Sequence, residues 1–216
     1  MTKGRLEAFS DGVFAVIITI MVLELKAPHG ADWPALRQVL PAFLTYVLSY
    51  VFLGIYWSNH HHLLHVSDRI NGAVLWANLH LLFWLSLVPF VTGWMGDNHF
   101  AALPTAAYGS VLLIAGIAYL ILEGRLLRAG NPRLAAAVGN DIKGKVSAVA
   151  YLVAIPLAFV HQLIADGIYV AVALMWLVPD RRIERMMGTE TTGATESHGE
   201  VKEQRTNQEP RRSHHR

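Results

Sequence analysis

The chain has 216 residues, of which 53% are hydrophobic and 16% charged, a balance that excludes an ordinary soluble domain and points to a membrane protein. The 18 Lys and Arg against 16 Asp and Glu leave a net +2, too little to carry binding to phosphate backbones, so no nucleic-acid partner is expected. With Cys at 0, disulfides, thiolate metal sites, cysteine nucleophiles and lipid-modified cysteines are all excluded.

The first apolar run, from Gly12 to Leu25, follows Lys3 and Arg5. Glu24, Lys26, Pro28 and His29 stand where a signal peptide would have small residues for cleavage, so the run reads as a retained helix. Spanning lipid takes roughly 20 apolar residues in a helix, because backbone groups there have no water to bond. Six segments approach that length: residues 6–25, 39–60, 73–94, 102–121, 146–164 and 167–179, the last one short. None alternates as a barrel strand does. The expected fold is therefore all-α, a polytopic membrane protein with six transmembrane helices. Pro156 is expected to kink the fifth.

Placing the N-terminus in the cytoplasm puts Lys3, Arg5, Arg69, Arg125, Arg128, Arg133, Lys143, Lys145, Arg181, Arg182 and Arg185 inside, with Lys26 and Arg37 outside. Both termini are then cytoplasmic. Trp57, Trp76, Trp94 and Trp176 fall near span ends, where amphipathic rings favour the interface. Residues 1–187 form the expected membrane domain, and residues 188–216, polar and without apolar periodicity, a disordered cytoplasmic tail. Without an internal duplication, symmetry has to come from assembly of copies.

The first helix is the richest in signals. Arg5 and Asp11 bracket its entrance six residues apart, a spacing that does not pair them on one helix face. Either they reach other helices or they are interfacial charges extended toward water. Further along, Val16, Thr19, Ile20 and Leu23 stand at i, i+3, i+4 and i+7, one stripe with a single hydroxyl. Copies of such a helix around an axis would stack hydrophobic constrictions with a ring of oxygen ligands. Ordinary helix packing, with Thr19 bonded back to a carbonyl of the preceding turn, fits the same spacing.

Arg5-x-x-x-Phe9-Ser10-Asp11, followed by an apolar helix with Thr19 and ending Leu23-Glu24, resembles the signature of the transmembrane protein 175 family of potassium channels. The resemblance covers nearly all the chain apart from the tail. It implies a channel with no P-loop and no Thr-Val-Gly-Tyr-Gly filter, a motif this chain lacks. It also implies a first helix lining the pore, and, for a chain with one six-helix repeat, the prokaryotic homotetramer in the cell inner membrane with potassium as the permeant ion. On the same basis Val16, Ile20 and Leu23 match the constriction layers and Thr19 the hydroxyl layer that prefers potassium. Val16 stands where the family often has Ile or Leu, which implies a slightly wider first ring.

A second cluster comprises Trp57, Asn59, His60, His61, His62 and His65. Paired histidines at i, i+3 or i+4 can bind zinc or haem, but the further His-rich and carboxylate clusters of a metal enzyme are missing, so no metal and no cofactor are expected. The end of the second helix and the start of the first share one side of the membrane. This predicts a buried hydrogen-bond network of Arg5, Ser10 and Asp11 with Trp57 and one histidine, with His61 meeting Asp11. Asn78 and His80 in the third span are expected to bond between helices, and Glu24 is either a cation-concentrating ring at a pore mouth or a solvated helix end.

No nucleophile with its base, phosphate loop or paired intramembrane carboxylates appears, so an enzyme is not expected. The sequence reading is a cation channel with modest preference for potassium over sodium, because a hydroxyl ring offers fewer fixed oxygens than a carbonyl filter. The alternative is a proton-coupled secondary transporter using Asp11, Glu24 and His80. A metal or haem enzyme on the His60 to His65 cluster and a scaffold without transport are the remaining rivals.

Overall fold

A computed structural model describes residues 2–137 and 142–178. Every regular element in them is helical: α1 (Lys3–Leu23), α2 (Trp33–His65), α3 (Gly72–Ser86), α4 (Val88–Asp97), α5 (Ala102–Arg128), the short α6 (Pro132–Ala137), α7 (Ile142–Leu157) and α8 (Gln162–Leu177). Since α3 and α4 follow each other through one residue, the chain makes six passes through an all-helical bundle. Four stretches are long and apolar enough to cross a membrane: α1, α2, α3 with α4, and α5. Helices α7 and α8 have 16 residues each, about 24 Å at 1.5 Å per residue, shorter than a hydrocarbon core of about 30 Å.

Met1–Leu177 form one compact unit that holds all these helices. The second unit, from Val178 onward, lies beyond the described residues after its first position, and so do the expected boundary at 187, the tail at 188–216, and Arg181, Arg182 and Arg185.

Capping explains several helix limits that hydropathy misses. Asp32 accepts from the Ala35 N–H at 3.0 Å and Pro34 occupies the first turn, so α2 begins at Trp33 rather than 39. At its other end α2 runs on to His65, because the polar histidines remain helical where the apolar window stops. Asn71 caps α3 through the Val74 N–H at 3.0 Å.

Prolines move two further boundaries. The expected single span 73–94 is divided at Leu87, since Pro89 has no N–H for the Leu85 carbonyl and the Leu87 N–H turns to the Trp84 carbonyl at 3.2 Å. Pro156, expected to kink a span reaching 164, instead precedes the end of α7 at Leu157. The chain turns over 158–160, and α8 starts at Gln162 rather than 167.

Side-chain bonds close both ends of the bundle. At the end holding the N-terminus, the Lys3 ammonium donates to the His65 carbonyl at 2.7 Å. There the buried Asn131 accepts from the Asp68 and Arg69 N–H groups and donates to the Leu126 carbonyl, so one amide joins two loops. At the far end Lys26 pairs with Asp97 at 2.9 Å.

Close approach of α4 to α2 depends on Gly96, where an added Cβ would lie 2.6 Å from the Ala42 Cα, a backbone atom that cannot rotate away. Gly96→Ala is expected to destabilise the protein by about 1–3 kcal/mol through overpacking. Gly54→Ala on α2, where nothing lies within 4 Å, serves as the neutral control. Thermal unfolding in detergent micelles measures both, and equal midpoints for the two variants would refute the close-approach account.

Candidate functional site

Helix α1 has two chemically different faces. Leu6, Ser10, Phe14, Ile17 and Met21 recur at spacings of three and four and are buried against the subunit. The opposite stripe is open: Val16 is 55% exposed, Ile20 42% and Leu23 81%, with Thr19 exposed among them. A cavity of about 910 Å³ opens beside α1, with Phe9, Gly12, Val16 and Ile20 on one wall and Phe90 and Trp94 of α4 on the other. Glu24 and Asp97 stand in its lining as well.

The Thr19 hydroxyl donates to the Val16 carbonyl at 2.9 Å, the back-bond that ordinary packing predicts. This bond uses the proton and leaves the oxygen lone pairs available on the exposed face. The same geometry therefore accommodates an oxygen ligand for a cation.

The buried face carries a polar chain across three helices. Ser10 donates to the Leu6 carbonyl at 2.9 Å and accepts from the Asn78 amide at 3.0 Å. The Asn78 carbonyl oxygen meets His60 Nε2 at 2.7 Å, so His60 is the donor and carries its proton on that nitrogen. All three side chains are buried. The His60 ring also packs on Phe14 in a tilted arrangement, with centroids 5.7 Å apart. One residue further along α1, Asp11 accepts from the Trp57 indole N–H at 3.0 Å.

The structure thus corrects two expected contacts, those of His61 and Arg5. His60, not His61, joins the buried chain, and it does so through Asn78 and Ser10 rather than through Asp11. His61 is exposed and sets its ring against Trp57 at 6.1 Å and His65 at 6.1 Å. Arg5 and Phe9 are exposed as well, and Arg5 joins neither Asp11 nor the Ser10 chain. His80 receives the Trp84 indole N–H at 3.0 Å within α3, whereas Asn78 makes the expected bonds between helices. Among the described residues no group of three or more His, Asp or Glu is placed to hold a metal ion.

The pattern of α1 can now be set beside known proteins. The model of the endosomal/lysosomal potassium channel TMEM175 family matches residues 5–89. A potassium channel of Chryseobacterium sp. (strain P1-3) is 52% identical over 189 residues, covering 87% of this chain and 98% of that protein. The chain belongs to the TMEM175 family. A potassium channel of Streptomyces collinus is 34% identical over 174 residues, 73% of this chain and 83% of its own. Among solved structures, the crystal structure of a lysosomal potassium-selective channel TMEM175 homolog from Chamaesiphon minutus superposes with a TM-score of 0.73 at 26% identity, covering 82% of this chain and 96% of that one. The family is one of ion channels, not enzymes, and the chain is a multi-pass membrane protein.

Sequence reasoning noticed Asn78 without assigning it to Ser10. The signal was depth: Ser10 lies seven residues into α1, His60 five from the end of α2 and Asn78 six into α3, each about 8–11 Å from the same end of the bundle. Reading the second span as ending at His60 placed that residue at the surface and hid the match. The groove residues Phe90 and Trp94 were missed because the break at Leu87 that sets α4's direction was not foreseen.

Asn78→Leu should cost about 1–3 kcal/mol, since it leaves Ser10 and His60 buried without their partner. Ser10→Ala combined with Asn78→Leu should cost less than the sum of the two single changes, because both interrupt one chain. Chemical denaturation in micelles measures this cycle, and strict additivity would mean that the three residues do not act together.

Proposed function

We propose that the protein is a potassium channel of the cell inner (plasma) membrane. In this reading it is a homotetramer of six-helix subunits with both termini cytoplasmic, residues 1–187 forming the channel domain and α1 of each subunit lining a central pore. The observation that carries the reading is the division of α1 between a face bonded to its own subunit and an open stripe of Val16, Thr19, Ile20 and Leu23. The potassium channels of Chryseobacterium and Streptomyces, similar over most of the chain, support it.

Around a fourfold axis the stripe becomes rings. Val16, Ile20 and Leu23 form apolar constrictions over about 10 Å of pore, narrow enough to gate by expelling water. Thr19 supplies a ring of hydroxyl oxygens between them that partly replaces the hydration shell of a passing ion. Potassium holds its shell less tightly than sodium, so partial replacement favours potassium, and the small number of oxygens keeps that preference modest. Glu24 at the helix end adds negative charge that draws cations to the mouth.

The alternative is a proton-coupled carrier using Asp11, Glu24 and His80; of these, Asp11 accepts the Trp57 indole N–H and His80 the Trp84 indole N–H. Planar-bilayer recording of the reconstituted protein in asymmetric potassium and sodium chloride decides between them. Unitary currents reversing toward the potassium potential are expected, whereas slow, saturating flux would establish the carrier.

Leu23→Ala and Val16→Asn, which widen or wet the constriction, should raise basal current several-fold. Unchanged current in Leu23→Ala would remove that residue from the gate. Thr19→Ala should move the potassium and sodium reversal potentials toward each other, and no shift would deprive Thr19 of a role in selectivity.

A further inference from the structure

Far from the α1 stripe, on α8, stands a carboxyl group with no partner. Both oxygens of Asp166 are buried and neither has a hydrogen bond. The residue lies four positions from the start of α8, roughly 6 Å along the helix from solution at the far end of the bundle.

Its neighbours offer no compensating charge. The titratable groups close enough to interact with it are Tyr169 on its own helix and Tyr108 on α5. Tyr151 of α7 faces Tyr169 with ring centroids 6.1 Å apart, and Tyr56 of α2 acts on Tyr108 and Tyr151 rather than on Asp166. No side chain pairs with the carboxyl. An ionised carboxylate so placed would carry part of the penalty of a desolvated, unpaired charge, whereas the neutral acid would not.

The same tyrosines continue into the bundle. Tyr169 donates to the Thr105 carbonyl at 3.1 Å and packs on Tyr108 with centroids 5.6 Å apart. The Tyr108 hydroxyl meets Ser49 Oγ at 3.0 Å, and Ser49 meets Thr92 of α4 at 2.7 Å. Thr92 neighbours Gly93, which lines the groove beside α1.

We propose that Asp166 is a proton-binding site: it holds a proton while the solution at the far end of the bundle is mildly acidic, releases it to that solution as pH rises toward neutrality, and passes the change through the Tyr169–Tyr108–Ser49–Thr92 ladder to α4 and the pore helix. The proton site stands independently of the channel reading, and its effect on current rests on that reading. Ionisation would draw the first turns of α8 toward water and loosen the Tyr169 bond to α5.

Infrared spectroscopy of the purified full chain tests the site without requiring current. A protonated-carboxyl band is expected at mildly acidic pH, present in wild type and in Asp11→Asn, absent in Asp166→Asn, and titrating away as pH rises. Absence of the band from wild type, or its persistence in Asp166→Asn, overturns the proposal. So does failure of Asp166→Asn to fold, because the neutral amide reproduces the protonated form.

Recording in bilayers tests the coupling. Wild-type potassium current should change at least about fivefold over the pH range in which the band titrates, the low end of usual coupling between sites. Asp166→Asn should abolish that dependence, and Tyr169→Phe should abolish it while keeping the band. Dependence that survives in Asp166→Asn overturns the coupling. A wild type with the band but no current counts against the channel reading and leaves the proton site standing.

Discussion

A helix that leaves one face open has only its other faces by which to be held. In lipid the usual driving force is absent, because acyl chains solvate Leu and Ile as well as a neighbouring helix does. Orientation then depends on close packing and directional bonds. On α1 the bonds come from consecutive residues: Ser10 ties to Asn78 on α3, and Asp11 to Trp57 on α2. Consecutive residues point about 100° apart around a helix. Two anchors separated by that angle and attached to different neighbours fix the rotation of α1, which a single bond or an apolar seam would leave free to slip. The stripe from Val16 to Leu23 is presented outward because the register is set about one and a half to three and a half turns earlier.

The two ends of α1 are held by unlike means. At the N-terminal end the Ser10–Asn78–His60 chain is buried, and beside it the exposed Asp11–Trp57 bond and the bond of the Lys3 ammonium to the His65 carbonyl add further ties. At the other end Glu24 terminates the helix and the attachment is the pair of Lys26 with Asp97, both well exposed. Asp97 raises the proton affinity of Lys26 above its ordinary value, first through the hydrogen bond and then through its charge. An exposed pair of this kind is weak and screened by salt. The half of α1 bearing Leu23 is therefore the half with less holding it.

Much of this organisation was legible in the sequence, and the illegible parts have physical causes. Apolar length revealed the helices, and spacing placed Val16, Thr19, Ile20 and Leu23 on one stripe of α1. The Asp11–Trp57 pairing followed from knowing that two helix ends share one side. The histidine was harder, since His60, His61 and His62 differ only in the direction each leaves α2, and that direction depends on helix rotation and on a boundary set by tertiary packing. The division of α3 from α4 was available in principle from Pro89, but a proline in an apolar run signals a bend without giving its angle. The back-bond of Thr19 satisfies both the packing and the pore interpretation, so spacing could not have chosen between them.

The break at Leu87 gives these observations a mechanical sense. α3 carries Asn78, which fixes the register of α1, while α4 carries Phe90 and Trp94 beside the groove and Thr92 at the end of the buried hydroxyl ladder. Were the two one continuous helix, any tilt near the groove would also displace Asn78. Pro89 removes one backbone bond at the junction and makes the connection compliant there. The bundle consequently carries the Asn78 bond that orients α1 and the groove wall of Phe90 and Trp94 on two separate helices.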